Sequence, residues 1–290
     1  MITLPDDVSA SLNTGMQVGS AIELPFFTPT FWFLNGDARL LQVGGASYFG
    51  GWAVSKEHWD RATKEEWFTD PSENAGLVET NLVTSDNKPL ETCTSRSLIV
   101  APMCSRLTWT TQDGGRYIEY VPGGRQHLQV IALLASRHED GSFNALGPVM
   151  LTAKGFQAKN LQDSFAAWDR ATKSIRQKVA PNVPAWCFYA AVGTFGTERK
   201  QVMVGKTSQK AITPVSCYIP KQITEDTITK LFVGQDNAAS MAVYIEAAQE
   251  WLHAYDARKA QPQPSQTQAV PQPPTYDELP PFDDHEPLPY

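Results

Sequence analysis

Two periodicities divide the chain. Through the first 150 residues, short runs rich in aromatic and β-branched side chains alternate with glycine pairs (Gly44-Gly45, Gly50-Gly51, Gly114-Gly115, Gly123-Gly124), the pattern of strands joined by turns. The clearest unit is a hairpin: Arg106 to Thr111 and Arg116 to Val121 flank Asp113-Gly114, which supplies the positive φ of a tight turn. A second hairpin is predicted through Pro122-Gly123-Gly124 into a strand from His127 to Leu134, whose unbroken apolar end implies burial on both faces. One local helix is predicted over 55–68, with Ser55 as its cap and Trp59 and Trp67 two turns apart.

The period changes after a strand over 147–155. Between Asn160 and Val179, the residues Leu161, Phe165, Trp168, Ile175 and Val179 fall within about 80° of one another at roughly 100° per residue. They form one apolar stripe of an amphipathic helix, and Lys159, Arg170, Lys173, Arg176 and Lys178 lie outside it. Trp186 to Lys206 reads as two strands joined at 196–200, and 212–219 as another. A short helix opens at Thr224, and a long one is capped by Asp236-Asn237 and runs to about Arg258. The predicted fold class is α+β and predominantly β. A body spans 1–259, as one unit or as two meeting near 147, followed by a Pro/Gln-rich linker over 260–275 and an acidic tip over 276–290. The last two are predicted to be disordered, because they hold too little apolar surface to offset the entropy of ordering.

Charge changes the picture more than composition does. The 290 residues carry a net charge of -7, but residues 151–210 hold 10 basic and 3 acidic groups, whereas 262–290 hold none and 5. A local excess of that size can track a phosphate backbone despite the acidic total. The opening MITLPDDVSASLNTG has acids where a secretory signal needs a basic region, and no apolar run is long enough to span a bilayer, so a cytoplasmic protein without membrane contact is expected.

Candidate chemistry narrows the classes further. The four cysteines (Cys93, Cys104, Cys187, Cys217) form no C-x-x-C pair and lack histidines at ligand spacing, which points to reduced thiols and no zinc. Nucleotide-loop, hydrolase-elbow and metalloprotease motifs are missing, and no cofactor or catalytic residue is expected. Binding of single strands asks for less: a cationic groove with rings on which bases stack. The basic stretch offers Lys154, Phe156 and Lys159, then Arg170, Lys173 and Arg176 on the helix, then Trp186 and Phe188 leading to Arg199, Lys200 and Lys206. Phe195 also stands there, and the early hairpin adds Trp109, Arg116 and Tyr117, with Arg106 and Arg125 beside them.

The end of the chain writes an acidic, apolar, proline and ring sequence twice: Asp277, Glu278, Leu279, Pro280 and Phe282, then, after Asp283 and Asp284, Glu286, Leu288, Pro289 and Tyr290. A β-rich body, an uncharged Pro/Gln linker and such a tip resemble the organisation of bacterial and phage single-stranded-DNA-binding proteins. The resemblance covers roughly the last 30 residues and departs from the family tip at Pro281 and in the residues that follow Phe282. It implies an oligonucleotide-binding-barrel-like body with inserted and C-terminal helices. It also implies non-sequence-specific binding of single-stranded DNA in replication, recombination or repair. The tip would recruit partner enzymes through Leu279, Phe282, Leu288 and Tyr290 with the flanking acids Asp277, Glu278, Asp283 and Asp284. Homo-oligomerisation is compatible with this reading. The competing expectation is a structural or interaction protein of a phage or mobile element with no nucleic-acid ligand.

Overall fold

The computed structural model describes residues 24–35, 42–43, 46–47, 50–64, 76–83, 89–110, 116–117, 122–195, 200–204 and 208–253. The protein is α+β and predominantly β. In chain order, β1 (Thr30–Leu34), β2 (Gln42–Val43), β3 (Ala46–Ser47) and β4 (Gly51–Ser55) precede α1 (Lys56–Lys64). Then come β5 (Val78–Val83), β6 (Pro89–Ser95), β7 (Ser97–Thr110), β8 (Arg116–Tyr117), β9 (Arg125–Arg137) and β10 (Phe143–Lys154), which leads into α2 (Phe156–Val179). A 3-10 turn (Ala185–Cys187), β11 (Ala190–Gly193), the pair β12 (Lys200–Val204) and β13 (Ser208–Ile212), and β14 (Ser216–Cys217) precede α3 (Glu225–Leu231), α4 (Gln235–Ala247) and α5 (Gln249–His253).

Ten strands form one sheet in the order β14-β11-β7-β9-β10-β1-β4-β6-β5, with β8 also on β7. The pairings are antiparallel except β1 on β10. Three strands dominate: β7, β9 and β10 run 14, 13 and 12 residues, more than twice the common strand length of about 5–6. Register shifts at Pro102/Cys104 and at Ala145/Gly147 mark irregularities of the kind that bend long strands. The result is a curled half barrel. In a flat sheet β4 and β11, five steps apart along the order, would lie about 24 Å from each other. Here Trp52 Nε1 of β4 donates to the Val192 carbonyl of β11 at 2.9 Å. Curling lets β9 bury both faces, and His127 to Ser136 are enclosed without a break, as the apolar run predicts.

Gly193 is needed where β11 meets β7, because a Cβ there would run into the Arg96 carbonyl. At the other junction, Gly155 takes φ 55 between β10 and α2, and its N–H donates to the Gln126 carbonyl at 2.7 Å. Ser55 caps α1 as expected, accepting from His58 N at 3.3 Å; Trp67 lies outside the described residues. Residue 147 is inside β10, and one apolar core draws on residues from before and after it, so no boundary between separate cores falls there.

Other expectations are corrected. The first hairpin forms, with Trp109 opposite Tyr117 and Thr110 opposite Arg116, but among the described residues β9 pairs with β7 on the edge opposite β8, and not with β8. Residues 186–189 are not a strand: Pro184 precedes a 3-10 turn, and Phe188 joins the fold through a lone bridge to Phe232. The long C-terminal helix is two, broken at Ala248, and its first residue follows Gly234 with φ 88, two to three residues earlier than an Asp236-Asn237 cap requires.

Candidate nucleic-acid interface

The helix α2 carries the densest group of sequence-predicted cations, and its inner and outer faces treat them differently. Leu161, Phe165 and Trp168 are buried, with Ile175 and Val179 packed at the core margin. Lys159, Arg170 and Lys173 are exposed and fall within about 60° of one another, a stripe roughly 21 Å long at about 1.5 Å per residue. Arg176 is not part of it. Its position on the wheel is only about 20° beyond Phe165, at the border of the apolar stripe, and its side chain is buried. The guanidinium donates to Thr172 Oγ1 at 3.0 Å and to the carboxylate of Asp169, and lies 5.7 Å from the ring centroids of both Trp168 and Phe188. Burial pulls it below the ordinary arginine value, against the pull of Asp169. Asp169, partly exposed, is paired with Arg176, and Asp163 is a second, exposed acid beside the three outer cations.

The N-terminal end of α2 is brought to one end of the three long strands. Lys154 of β10 pairs with His127 of β9, which pairs with Thr108 of β7. The next rungs carry Trp109 between Gln126 and Tyr117, then Thr110 between Arg125 and Arg116. At about 4.8 Å per strand, Lys154 lies roughly 10 Å from the β7 backbone. Lys154, Trp109 and Phe156 are half-buried, so each offers part of its surface at this end. The C-terminal end of β7 and the start of α2 therefore share one end of the sheet, with Lys154 and Trp109, on adjacent rungs, directed to opposite faces of it.

The hairpin β12–β13, which contains Lys200 and Lys210, is tied to the same helix. Gln157 Nε2 donates to the Thr213 carbonyl at 2.7 Å, Val215 N donates to Gln157 Oε1 at 3.1 Å, and Ser164 Oγ donates to the Val215 carbonyl at 3.4 Å. Asn35 at the end of β1 holds the hairpin base from the other side, accepting from Thr213 N at 2.7 Å. Arg199, Lys206 and the tip residues Asp277, Glu278, Leu279, Phe282, Asp283, Asp284, Leu288 and Tyr290 lie outside the described residues.

Three predicted contacts face inward. Phe188 is fully buried against Phe232, with ring centroids 5.7 Å apart, so it has no face for a base. Trp186 is half-buried with its indole Nε1 enclosed. Arg106, read as flanking the hairpin rings, is buried with its guanidinium 3.7 Å from the Trp251 ring centroid and its Nε donating to Gln129 at 2.7 Å. The rings that do face out include Phe195, 44% exposed, and Tyr218, 53% exposed, which touch at a centroid distance of 5.6 Å. Tyr218 was not singled out from the sequence. The available signal was period-2 alternation at the sheet edge, with Val215 and Cys217 buried and Tyr218 on the opposite side.

All four cysteines are buried thiols, and burial pushes Cys104, Cys187 and Cys217 up to about 12. Among the described residues no group of three or more His, Cys, Asp or Glu side chains could hold a metal ion, and no helix is long and apolar enough to cross a membrane. No protein-family model, no curated protein and no solved structure matches the chain.

Proposed function

We propose that the protein binds single-stranded DNA without sequence specificity, as an accessory of replication, recombination or repair and not as an enzyme. One observation carries this reading: the outer stripe Lys159, Arg170 and Lys173 starts beside the strand end that holds Lys154, with the half-buried ring of Phe156 between Lys154 and Lys159 in sequence. Cations in line can follow successive phosphates, and neighbouring rings can take bases, each stack contributing about 1–3 kcal/mol. The resemblance to an oligonucleotide-binding barrel is one of curvature and not of strand number. In this reading the acidic tip recruits partner enzymes, its charges steering Leu279 and Phe282, or Leu288 and Tyr290, into an apolar pocket on the partner. The same charges compete with DNA for the cationic surface at low salt.

Quenching of tryptophan fluorescence by oligo-dT at two salt concentrations tests the reading. Binding should weaken with salt, with a log-log slope of about -0.7 per phosphate contact. The triple change Lys159→Gln, Arg170→Gln, Lys173→Gln should lower that slope by about 2. No quenching at low salt, or a slope that the triple variant leaves intact, overturns it. Deleting 274–290 should tighten binding at low salt and abolish capture of partner enzymes.

A further inference from the structure

Lysines of α1 and α3 meet acids of their own surface: Lys56 Nζ pairs with Asp60 at 3.1 Å and with Glu79 at 2.7 Å, and Lys230 with Asp226 at 2.9 Å. Two other helices are sorted by sign instead. The outer face of α2 presents Lys159, Arg170 and Lys173, and no acid of the described residues pairs with them. The outer face of α4, with α5 beyond it, presents Asp236, Glu246 and Glu250, and 235–253 contains no lysine or arginine. At roughly 100° per residue, Asp236, Ala239, Val243, Glu246 and Ala247 fall within an arc of about 100°, and all are exposed. Val243, at its middle, is 65% exposed, more than any other large apolar side chain among the described residues. The bonds from Ala248 N to Tyr244 O at 3.0 Å and from Leu252 N to Ala248 O at 2.9 Å carry the turn across the break, toward Glu250.

The two faces complement each other position by position. Laid parallel with Asp236 opposite Lys159, the helices bring Ser240 opposite Asp163 and Val243 opposite the exposed, small Ala166. In the same register Glu246 and Ala247 fall at Arg170, and Glu250 at Lys173. The spacings agree: Asp236 to Glu246 spans about 15 Å and Lys159 to Arg170 about 17 Å, at about 1.5 Å per residue. The antiparallel arrangement fails, because with Asp236 opposite Lys173 it sets Asp163 against Glu246 and Arg170 against Ala239. Small side chains at the centre let two helix axes approach to about 8–10 Å. Within one molecule the faces cannot meet. Leu161, Phe165 and Trp168 of α2 and Ala238, Met241 and Ile245 of α4 are fixed in the same core, so the complement must come from another copy.

We propose that the acidic face of α4 and α5 docks on the cationic stripe of α2 in a second copy of this chain, and that the contact closes the stripe to DNA. Each molecule offers both faces, so the contact is head-to-tail and extends beyond two copies unless a ring closes. Opposite charges set its register, and salt weakens it. The docking stands on the two faces; its effect on DNA rests on the DNA-binding reading, with single strands and neighbouring copies competing for Lys159, Arg170 and Lys173.

Sedimentation of the full chain in about 20 mM and about 500 mM salt tests this. Wild type should reach twice the monomer mass or more in low salt and be monomeric in high salt. The double variants Glu246→Lys, Glu250→Lys and Arg170→Glu, Lys173→Glu change exposed residues only, and each alone should be monomeric in both. Mixed in equal amounts at low salt they should associate again, because the reversed helix of one meets the reversed helix of the other. Excess oligo-dT should return wild-type oligomers to monomers. A wild type that is monomeric in low salt leaves the acidic face to a basic partner of another kind and overturns the proposal. So does a mixture that stays monomeric. Association that survives Glu246→Lys, Glu250→Lys and is lost on deleting 274–290 would put the acidic tip on the stripe, which also overturns it. Oligomers that persist with oligo-dT bound refute the competition and leave the DNA-binding reading standing. If wild type and the mixture associate as expected but wild type binds no oligo-dT at either salt, the DNA-binding reading fails and the docking stands.

Discussion

Phe188 and Phe195 stand seven positions apart in one basic, ring-rich stretch, and the fold sends them to opposite environments. Phe188 follows a 3-10 turn, bridges to Phe232 and is wholly enclosed. Phe195 follows the short strand β11, whose last residue is Gly193, and emerges where the sheet ends. The arginines of α2 repeat the contrast: Arg176 lies between two rings of the interior, and Arg170, less than two turns earlier, faces solvent. Residue type and local charge are the same in each pair. What differs is whether the backbone turns the side chain toward the curled sheet or away from it, so a count of rings and cations overstates the usable surface.

The contrast can be broken from the inside. Phe188→Ala should cost about 3–5 kcal/mol by leaving a cavity beneath Phe232 and Arg176, lowering Tm by on the order of 10 °C in calorimetry. An unchanged Tm would show that Phe188 is not a core residue. Arg176→Ala should cost less, about 2 kcal/mol in urea unfolding, because the Asp169 it leaves is partly exposed and can rehydrate.

The interior can also be probed by pH. Burial raises the Cys104 thiol from its ordinary 9.0 to about 12 in the folded protein. A raised value in the folded state means that the stabilisation is complete below pH 9 and is lost as pH rises, since the unfolded chain ionises first. Each such thiol should remove about 1.4 kcal/mol per pH unit between roughly 9 and 12. The stability of Cys104→Ala should therefore fall less steeply over that range than that of wild type. Labelling of the native protein with a thiol reagent at pH 8 should reach none of the four cysteines.

The smallest effects belong outside. Phe195→Ala and Arg170→Ala should each shift stability by no more than about 0.5 kcal/mol. A loss near that of Phe188→Ala would erase the distinction between the two regions.

The sequence by itself determined the local elements. Alternation and turn chemistry located the hairpin at 106–117, the doubly buried strand from His127, the Ser55 cap and the amphipathic helix ending at Val179, because each depends on contacts within a few residues. It also located the cationic stripe, since Lys159, Arg170 and Lys173 lie far from the apolar arc. Only the tertiary structure decided the rest. Arg176 sits at the border of that arc, where 20° of rotation separates solvent from core, and the choice depends on Phe188 arriving from another segment. That β9 leaves β8 to pair beyond β7, that Trp52 reaches Val192, and that 154–159 and 106–117 share one end of the sheet are long-range outcomes of curling. Periodicity reports which side of an element is apolar; it carries no record of which other element covers that side.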